Sequence, residues 1–118
     1  MSSVQHVTKQ SFAQEVLRSP VPVLIDFYAD WCGPCRMLAP TLERLSAEFS
    51  GRAKIVKVNV DEEPALASQF QVESIPTLVV IAGGKPVGRT TGVVSEESLR
   101  HALNQLAGTA SPPHRRVG

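Results

Sequence analysis

The fold is decided by residues 27–40, which read FYADWCGPCRMLAP. An apolar run over residues 23–29 leads into this stretch, and such a run is typical of a strand buried on both faces within an α/β sheet. A long amphipathic helix from about 33 to 49 is predicted next, because apolar residues recur there at spacings of four, three and four. Cys32 and Cys35 therefore stand at the junction of a buried strand and a helix.

Strand and helix patterns alternate on both sides of this junction. They predict the element order β-α-β-α-β-α-β-β-α, which implies an α/β domain with a mixed sheet and helices on both faces. Apolar periodicity stops after Leu106, so residues 1–107 are predicted to form one domain and residues 108–118 a disordered tail. The predicted strands are 4–7, 23–29, 53–60, 76–82 and 86–91, and the predicted helices are 8–19 (capped by Thr8 or Ser11), 33–49, 63–70 and a last one capped by Ser95.

The composition limits the class of protein. A chain of 118 residues with twelve Lys+Arg and eleven Asp+Glu has the length of one domain and no electrostatic drive toward nucleic acid or acidic membranes. No apolar run approaches the ~20 residues of a membrane helix, and the N-terminal region lacks the apolar core of a secretory signal. We therefore expect a cytoplasmic monomer that binds neither nucleic acid nor membrane, in a compartment that keeps thiols reduced.

Cys32 and Cys35 are the only two cysteines in the sequence. Residues three apart in the first turn of a helix project from the same face, close enough for a disulfide. Free backbone N–H groups and the positive end of the helix dipole favour a thiolate at Cys32, and the thiolate is the species that attacks disulfides. Cys35 lies one turn deeper and is expected to be the more buried of the two.

Other uses of a close cysteine pair stay open at this point. A zinc site needs about four ligands, whereas His6, His101 and His114 lie far apart along the chain. Haem attachment needs a histidine at the position of Arg36. A structural disulfide stabilises least across so short a loop and would be reduced in the cytoplasm. Thiol–disulfide exchange is the use that the pattern favours.

The segment FYADWCGPCRMLAP resembles the active site of the thioredoxin family, and Ile75-Pro76-Thr77 and Gly92 resemble that family's other two signatures. The resemblance covers about residues 4–107 and implies the thioredoxin fold, a central mixed sheet of about five strands flanked by four helices. It implies a protein-disulfide reductase with no bound cofactor. Its redox-active disulfide would receive electrons ultimately from NADPH through a flavoprotein, thioredoxin reductase. That reductase and disulfide-containing substrate proteins are the expected partners.

The resemblance also implies roles for individual residues. Cys32 would attack a substrate's disulfide as the nucleophile, and Cys35 would resolve the resulting mixed disulfide. Pro76 would be a cis-proline that faces the pair, and the backbone of Ile75 would pair with an extended substrate segment. A small apolar docking surface around the sulfurs would consist of Trp31, Gly33, Pro34, Ile75, Gly92 and Val93.

Asp26 stands inside the apolar run that precedes the cysteines. Burial there should raise the pKa of its carboxyl, which suits a proton acceptor near neutral pH. In the thioredoxin family the matching residue assists deprotonation of the buried cysteine, and Lys57 matches its usual partner. A solvent-facing or ion-paired Asp26 and a solvated Lys57 are the alternatives that the sequence leaves open.

Two other functions compete with the reductase interpretation, namely a thioredoxin-fold scaffold or binding subunit and a disulfide-forming oxidant. A pure scaffold has no need of both cysteines, Asp26 and Pro76. Oxidising relatives often carry histidine between the cysteines, whereas Gly33 and Pro34 bring no charge, so the resemblance implies a reducing pair. Tyr28 departs from the family pattern, because many thioredoxins have tryptophan at this position.

Overall fold

The computed structural model describes residues 3–110. Over these residues the chain forms five strands and four helices, in the order that the alternation of sequence patterns predicts. The strands are β1 Gln5–His6, β2 Val23–Tyr28, β3 Lys54–Asn59, β4 Thr77–Ala82 and β5 Lys85–Thr91, and the helices are a π-helix Ala13–Leu17, α1 Gly33–Glu48, α2 Pro64–Gln69 and α3 Glu96–Ala110.

The strands form one mixed sheet in the order β1-β3-β2-β4-β5, which confirms the predicted α/β architecture. β3 pairs in parallel with β1 and β2, whereas β4 pairs antiparallel with β2 and β5. β2 is therefore hydrogen-bonded on both sides, and all of its residues are buried, as its apolar run predicts. The C-terminal ends of β2, β3 and β5 and the N-terminal end of β4 lie at the same end of the sheet. The segments that leave β2, β3 and β5 or enter β4 there are therefore close together.

Two hydrophobic clusters cover the two faces of the sheet. On one face, Leu42 of α1 and Leu103 of α3 pack with Leu24 of β2. On the other face, Val16 of the π-helix and Leu66 of α2 form a cluster with the residues of β2 that point away from Leu24. Because successive strand residues point to opposite faces, β2 contributes to both clusters.

The first helix is shorter than predicted, because the π-helix covers only Ala13–Leu17 and has no side-chain cap. Thr8 and Ser11, the expected caps, close a turn on each other instead. The Thr8 N–H donates to Ser11 Oγ at 3.0 Å, and the Ser11 N–H donates to the Thr8 carbonyl oxygen at 3.1 Å. Side chains of this type compete with helix formation when they bond to nearby backbone, so the helix begins after the turn.

The β4–β5 hairpin turns through Gly83 and Gly84, whose φ angles are 61° and 78°. A two-residue hairpin loop favours positive φ at both positions, and glycine adopts it without steric cost. The turn is therefore where the sequence predicts it, although Lys85 is already the first residue of β5.

Helix α3 extends to Ala110, although the apolar periodicity that predicts it stops at Leu106. The remainder of the predicted tail, residues 111–118, lies outside the described residues. The domain boundary at residue 107 stays a prediction.

The packing of α1 predicts a large difference between two neighbouring apolar residues, since Leu42 is 1% exposed and Met37 is 72% exposed. Leu42→Ala should lower the free energy of unfolding by about 2–5 kcal/mol, because it leaves a cavity between the helices and β2. Met37→Ala, the matched control, should change it by less than about 0.5 kcal/mol. Urea unfolding of the oxidised protein followed by circular dichroism measures both, and equal losses would contradict this packing.

Candidate active site

The cysteine pair lies at the N-terminus of α1, just after the end of β2. Cys32 is the N-cap residue, with φ −86° and ψ 111°, and Pro34 occupies the first turn, where the helix needs no N–H donor. Cys32 and Cys35 form a disulfide, and their Cα atoms are 5.2 Å apart. The cysteine pair thus lies at the predicted strand–helix junction, in its disulfide form.

The environment of the Cys32 sulfur favours negative charge. Its Sγ accepts a hydrogen bond from the backbone N–H of Cys35 at 3.2 Å. That N–H is one of the donors that a helix N-terminus leaves without an intrahelical partner, and it lies at the positive end of the helix dipole. After reduction of the disulfide, both effects stabilise a thiolate at Cys32.

The two cysteines are equally buried in the disulfide form, at 4% exposure each. The prediction that Cys35 is the more buried is therefore wrong for this state. Both cysteines pack in a cluster with Tyr28 and Ala29, and Ile75 covers this cluster. The Cys32 Sγ lies 3.9 Å from the Ile75 carbonyl oxygen, so the backbone of Ile75 flanks this sulfur.

The segments before β4 and after β5 lie at the same end of the sheet as the disulfide. The Ile75–Pro76 peptide bond is cis, as the resemblance implies. The Gly92 N–H donates to the Pro76 carbonyl oxygen at 2.8 Å, and Gly92 has φ 85°, in the left-handed region that favours glycine. The β4–β5 pairing therefore holds Gly92 and Val93 beside the cis peptide bond.

Three apolar side chains of the predicted docking surface are exposed beside the disulfide, and the docking role itself stays a prediction. Trp31 is 67% exposed and Val93 is 53% exposed, and Pro34 is also exposed. The Trp31 indole N–H donates to Asp61 Oδ2 at 2.8 Å, which fixes the direction of the ring. Sequence reasoning missed Asp61. The parallel pairing of β2 and β3 could have revealed it, because residues that follow these two strands lie side by side.

Asp26 lies within β2 and is 2% exposed, so the solvent-facing alternative is wrong. Its Oδ1 has no hydrogen-bond partner among the described residues. Burial raises the pKa of Asp26 to about 7, and the positive charge of Lys57 partly opposes this rise.

Lys57 is the register neighbour of Asp26 on β3, as expected for its partner. No hydrogen bond or ion pair joins the two side chains in the part of the chain that the structure describes. The Lys57 Nζ instead lies 4.5 Å from the centroid of the Tyr28 ring. Lys57 therefore acts on Asp26 through its charge rather than through a direct contact.

A cavity of about 160 Å³ connects Asp26 with the disulfide. Asp26, Lys57 and Cys35 line it, together with Tyr28, Ala29, Asp30, Arg36 and Ala39. Since a water molecule occupies roughly 30 Å³ in the liquid, this volume accommodates several. The cavity therefore has room for water between the Asp26 carboxyl and Cys35.

Among residues 3–110, no group of three or more His, Cys, Asp and Glu side chains is placed to hold a metal ion. None of the helices there is long and apolar enough to cross a membrane.

The fold and the site together define a class of protein. A disulfide at a helix N-terminus, a donor that favours the thiolate of Cys32, and a neighbouring exposed apolar surface are the features of a thiol–disulfide oxidoreductase.

Comparisons with known proteins identify the family within this class. The Thioredoxin family model matches residues 3–105. Thioredoxin 1 of Nostoc sp. is 48% identical over 105 residues, which cover 89% of this chain and 98% of the relative. Thioredoxin of Haemophilus influenzae is 46% identical and thioredoxin of Synechocystis sp. is 45% identical, with the same coverage of both chains. The chain belongs to the thioredoxin family.

Membership of the family confirms the predicted fold and activity. Thioredoxins act as protein-disulfide reductases, and they carry their redox equivalents in the disulfide rather than in a bound cofactor. The chain is accordingly a thiol–disulfide oxidoreductase, with Cys32 and Cys35 as its redox-active pair.

The burial of Asp26 predicts that Asp26→Ala stabilises the oxidised protein at high pH. Below about pH 4 the carboxyl is protonated in both the folded and the unfolded chain, and its burial is least costly there. As the pH rises to about 7, the unfolded chain loses this proton first, so the wild type loses stability relative to the variant. Above about pH 7 the stability of Asp26→Ala relative to the wild type should level off, after a pH-dependent increase of up to about 4 kcal/mol.

Urea unfolding at pH 4, 6 and 8.5 measures this gain. Glu73→Ala, at an exposed position, is the control, and its effect should vary by less than about 0.5 kcal/mol over the same range. A difference between wild type and Asp26→Ala that is the same at all three pH values would contradict the raised pKa of Asp26.

Proposed function

We propose that this protein reduces disulfide bonds of substrate proteins in the cytoplasm, with Cys32 as the nucleophile and Cys35 as the resolving thiol. The observation that carries this assignment is the hydrogen bond from the Cys35 N–H to the Cys32 Sγ at the start of α1. It favours a thiolate at Cys32, and Cys35 has no equivalent helix N-terminus behind it.

The exchange runs in two steps. The Cys32 thiolate attacks one sulfur of the substrate disulfide, a mixed disulfide forms, and the other substrate sulfur leaves as a thiolate. Cys35 then loses its proton and attacks the Cys32 Sγ, which releases the second substrate thiolate and forms the Cys32–Cys35 disulfide. Two electrons pass from the cysteine pair to the substrate, which takes up two protons.

Asp26 is the group that we propose accepts the Cys35 proton. Its pKa of about 7 leaves the carboxyl partly ionised at neutral pH, so it can both accept and release a proton there. The cavity that both residues line supports transfer through water. Lys57, the neighbouring cation, favours the ionised form of Asp26 and so supports its role as a base.

Substrates would dock on the apolar surface and pair with the backbone of Ile75. The carbonyl of Ile75 lies 3.9 Å from the Cys32 Sγ, so an extended segment that pairs there would bring its own disulfide to this sulfur. Trp31, Gly33, Pro34, Gly92 and Val93 would surround the bound segment, with Pro76 beside it. Apolar contact and backbone hydrogen bonds require little of the substrate sequence, which suits a reductase of many proteins.

The oxidised protein must be reduced again after each turnover. Thioredoxin reductase, a flavoprotein that draws electrons from NADPH, is the proposed donor, and disulfide-containing proteins are the proposed acceptors. We propose that the protein acts as a monomer through a redox domain of residues 1–107, because exchange of this kind needs only one accessible cysteine pair.

Single-cysteine variants test the two cysteine roles. Cys35→Ser should accumulate a mixed disulfide with a disulfide-containing protein such as insulin, because no resolving thiol is left. Cys32→Ser should form at least about tenfold less, because it lacks the favoured thiolate. Non-reducing electrophoresis followed by mass spectrometry measures the adducts. Equal trapping by both variants would contradict the assignment, and full function of Cys32→Ser would favour a scaffold.

The role of Asp26 predicts a pH-dependent defect. Asp26→Ala should slow disulfide exchange more at pH 7 than at pH 9, because Cys35 can ionise without an acceptor at alkaline pH. The rate of insulin reduction, with dithiothreitol as the electron donor, is measured for both proteins across this range. Equal slowing at every pH would remove Asp26 from proton transfer.

A further inference from the structure

Four polar side chains lie together on the face of the sheet that α1 and α3 cover, near the cysteine pair. His6, Lys57 and Asp26 are register neighbours across β1, β3 and β2, so their side chains share one face. Tyr28 lies two residues after Asp26 on β2 and therefore shares this face as well. The row runs from exposed His6 at the edge of the sheet to buried Asp26.

Tyr28 contacts two members of this row. The Lys57 Nζ lies 4.5 Å from the centroid of its ring, a favourable cation–π geometry. Its hydroxyl lies 3.3 Å from His6 Nδ1, and the two rings meet edge-on with their centroids 5.9 Å apart. The Tyr28 side chain is buried, its backbone belongs to β2, and its hydroxyl contacts His6. Its ring therefore offers the ammonium a fixed position.

Lys57 has no comparable contact elsewhere in the described part of the chain. It is half-buried and forms none of the ion pairs found there. A lysine with a flexible stem and a strongly hydrated ammonium would otherwise extend into water, away from Asp26. The contact with the Tyr28 ring is thus the interaction that places the Lys57 ammonium in the described part of the chain.

We propose that Tyr28 is a positioning residue, whose ring holds the Lys57 ammonium beside Asp26 and so sets the pH range over which Asp26 ionises. The consequence for catalysis rests on the proposed function, in which Asp26 accepts the Cys35 proton. Coulomb attraction falls with distance. At an effective dielectric constant of about 20, a retreat of the ammonium by a few ångströms changes the pKa of a nearby carboxyl by about 1.

A ring that only buried Asp26 would have the opposite effect when removed. Its loss would admit water, stabilise the carboxylate and lower the pKa of Asp26. If the ring holds Lys57, its loss releases the ammonium and raises that pKa. The sign of the change therefore distinguishes a positioning role from a merely structural one.

Asp30, Arg36 and His6 are ionisable groups of this region that all of the variants below retain. Asp30 and Arg36 line the cavity that reaches Asp26, and Cys35, which also lines it, does not titrate in the disulfide form. Burial of the phenol, with Asp30, Glu62 and Asp26 nearby, raises the pKa of Tyr28, so the hydroxyl stays neutral throughout the titration. His6 is followed through its own ring signals.

Carboxyl ¹³C NMR of the disulfide form measures the ionisation of Asp26 without any catalytic step. Tyr28→Leu should raise the titration midpoint by about 1 pH unit. Tyr28→Phe keeps the ring and should stay within about 0.3 of the wild type. In the Lys57→Met background, Tyr28→Leu should cause no further rise, because the charge through which the ring acts is absent. Should Tyr28→Leu be too unstable to titrate, Tyr28→Met carries the same expectation.

A midpoint that Tyr28→Leu leaves unchanged or lowers would overturn the proposal, as would an equal rise in the Lys57→Met background. The pH–rate profile of disulfide exchange, measured on the same proteins, tests the proposed function separately. A raised NMR midpoint with an unmoved rate profile would support the positioning of Lys57 and remove Asp26 from proton transfer.

Discussion

The pairing of β2 with both β3 and β4 is the constraint on which the rest of the structure depends. It buries every residue of β2 and places the chain that leaves this strand at the edge where β4 begins. The cysteines follow β2, and Ile75 and Pro76 precede β4, so residues more than 40 positions apart come within contact distance. The sheet topology therefore brings the parts of the active site together, and the N-terminal end of α1 carries the two sulfurs.

The same constraint places Asp26 where a carboxylate is destabilising. Among the buried side-chain nitrogen and oxygen atoms of the described residues, the Oδ1 of Asp26 alone has no hydrogen-bond partner. Burying such a group without a partner costs stability, and the cost grows as the group ionises. The raised pKa and the cavity toward Cys35 are the two features on which the proposed proton transfer by Asp26 depends.

Local patterns in the sequence were enough to predict the parts of the fold that depend on near neighbours. The apolar run predicts β2, the helical spacing predicts α1, and Gly83-Gly84 predicts the hairpin. The first helix is shorter than the predicted 8–19, because Thr8 and Ser11 bond to each other instead of capping it. The equal burial of the cysteines and the contact between Trp31 and Asp61 depend on segments that are distant in the sequence. The periodicity of apolar residues does not predict such contacts.

The proposed docking surface has a chemistry that would let one site serve many substrates. Its residues, from Trp31 and Pro34 to Gly92 and Val93, carry no charge, and the sulfur is stabilised by a backbone N–H rather than by a charged side chain. A cation placed there for the same purpose would repel basic substrates and attract acidic ones. Since the donor belongs to the helix backbone, it favours the Cys32 thiolate without selecting the charge of the partner. In the proposed mode of binding, discrimination would be left to the fit of an extended segment against Ile75, where backbone hydrogen bonds accept almost any sequence.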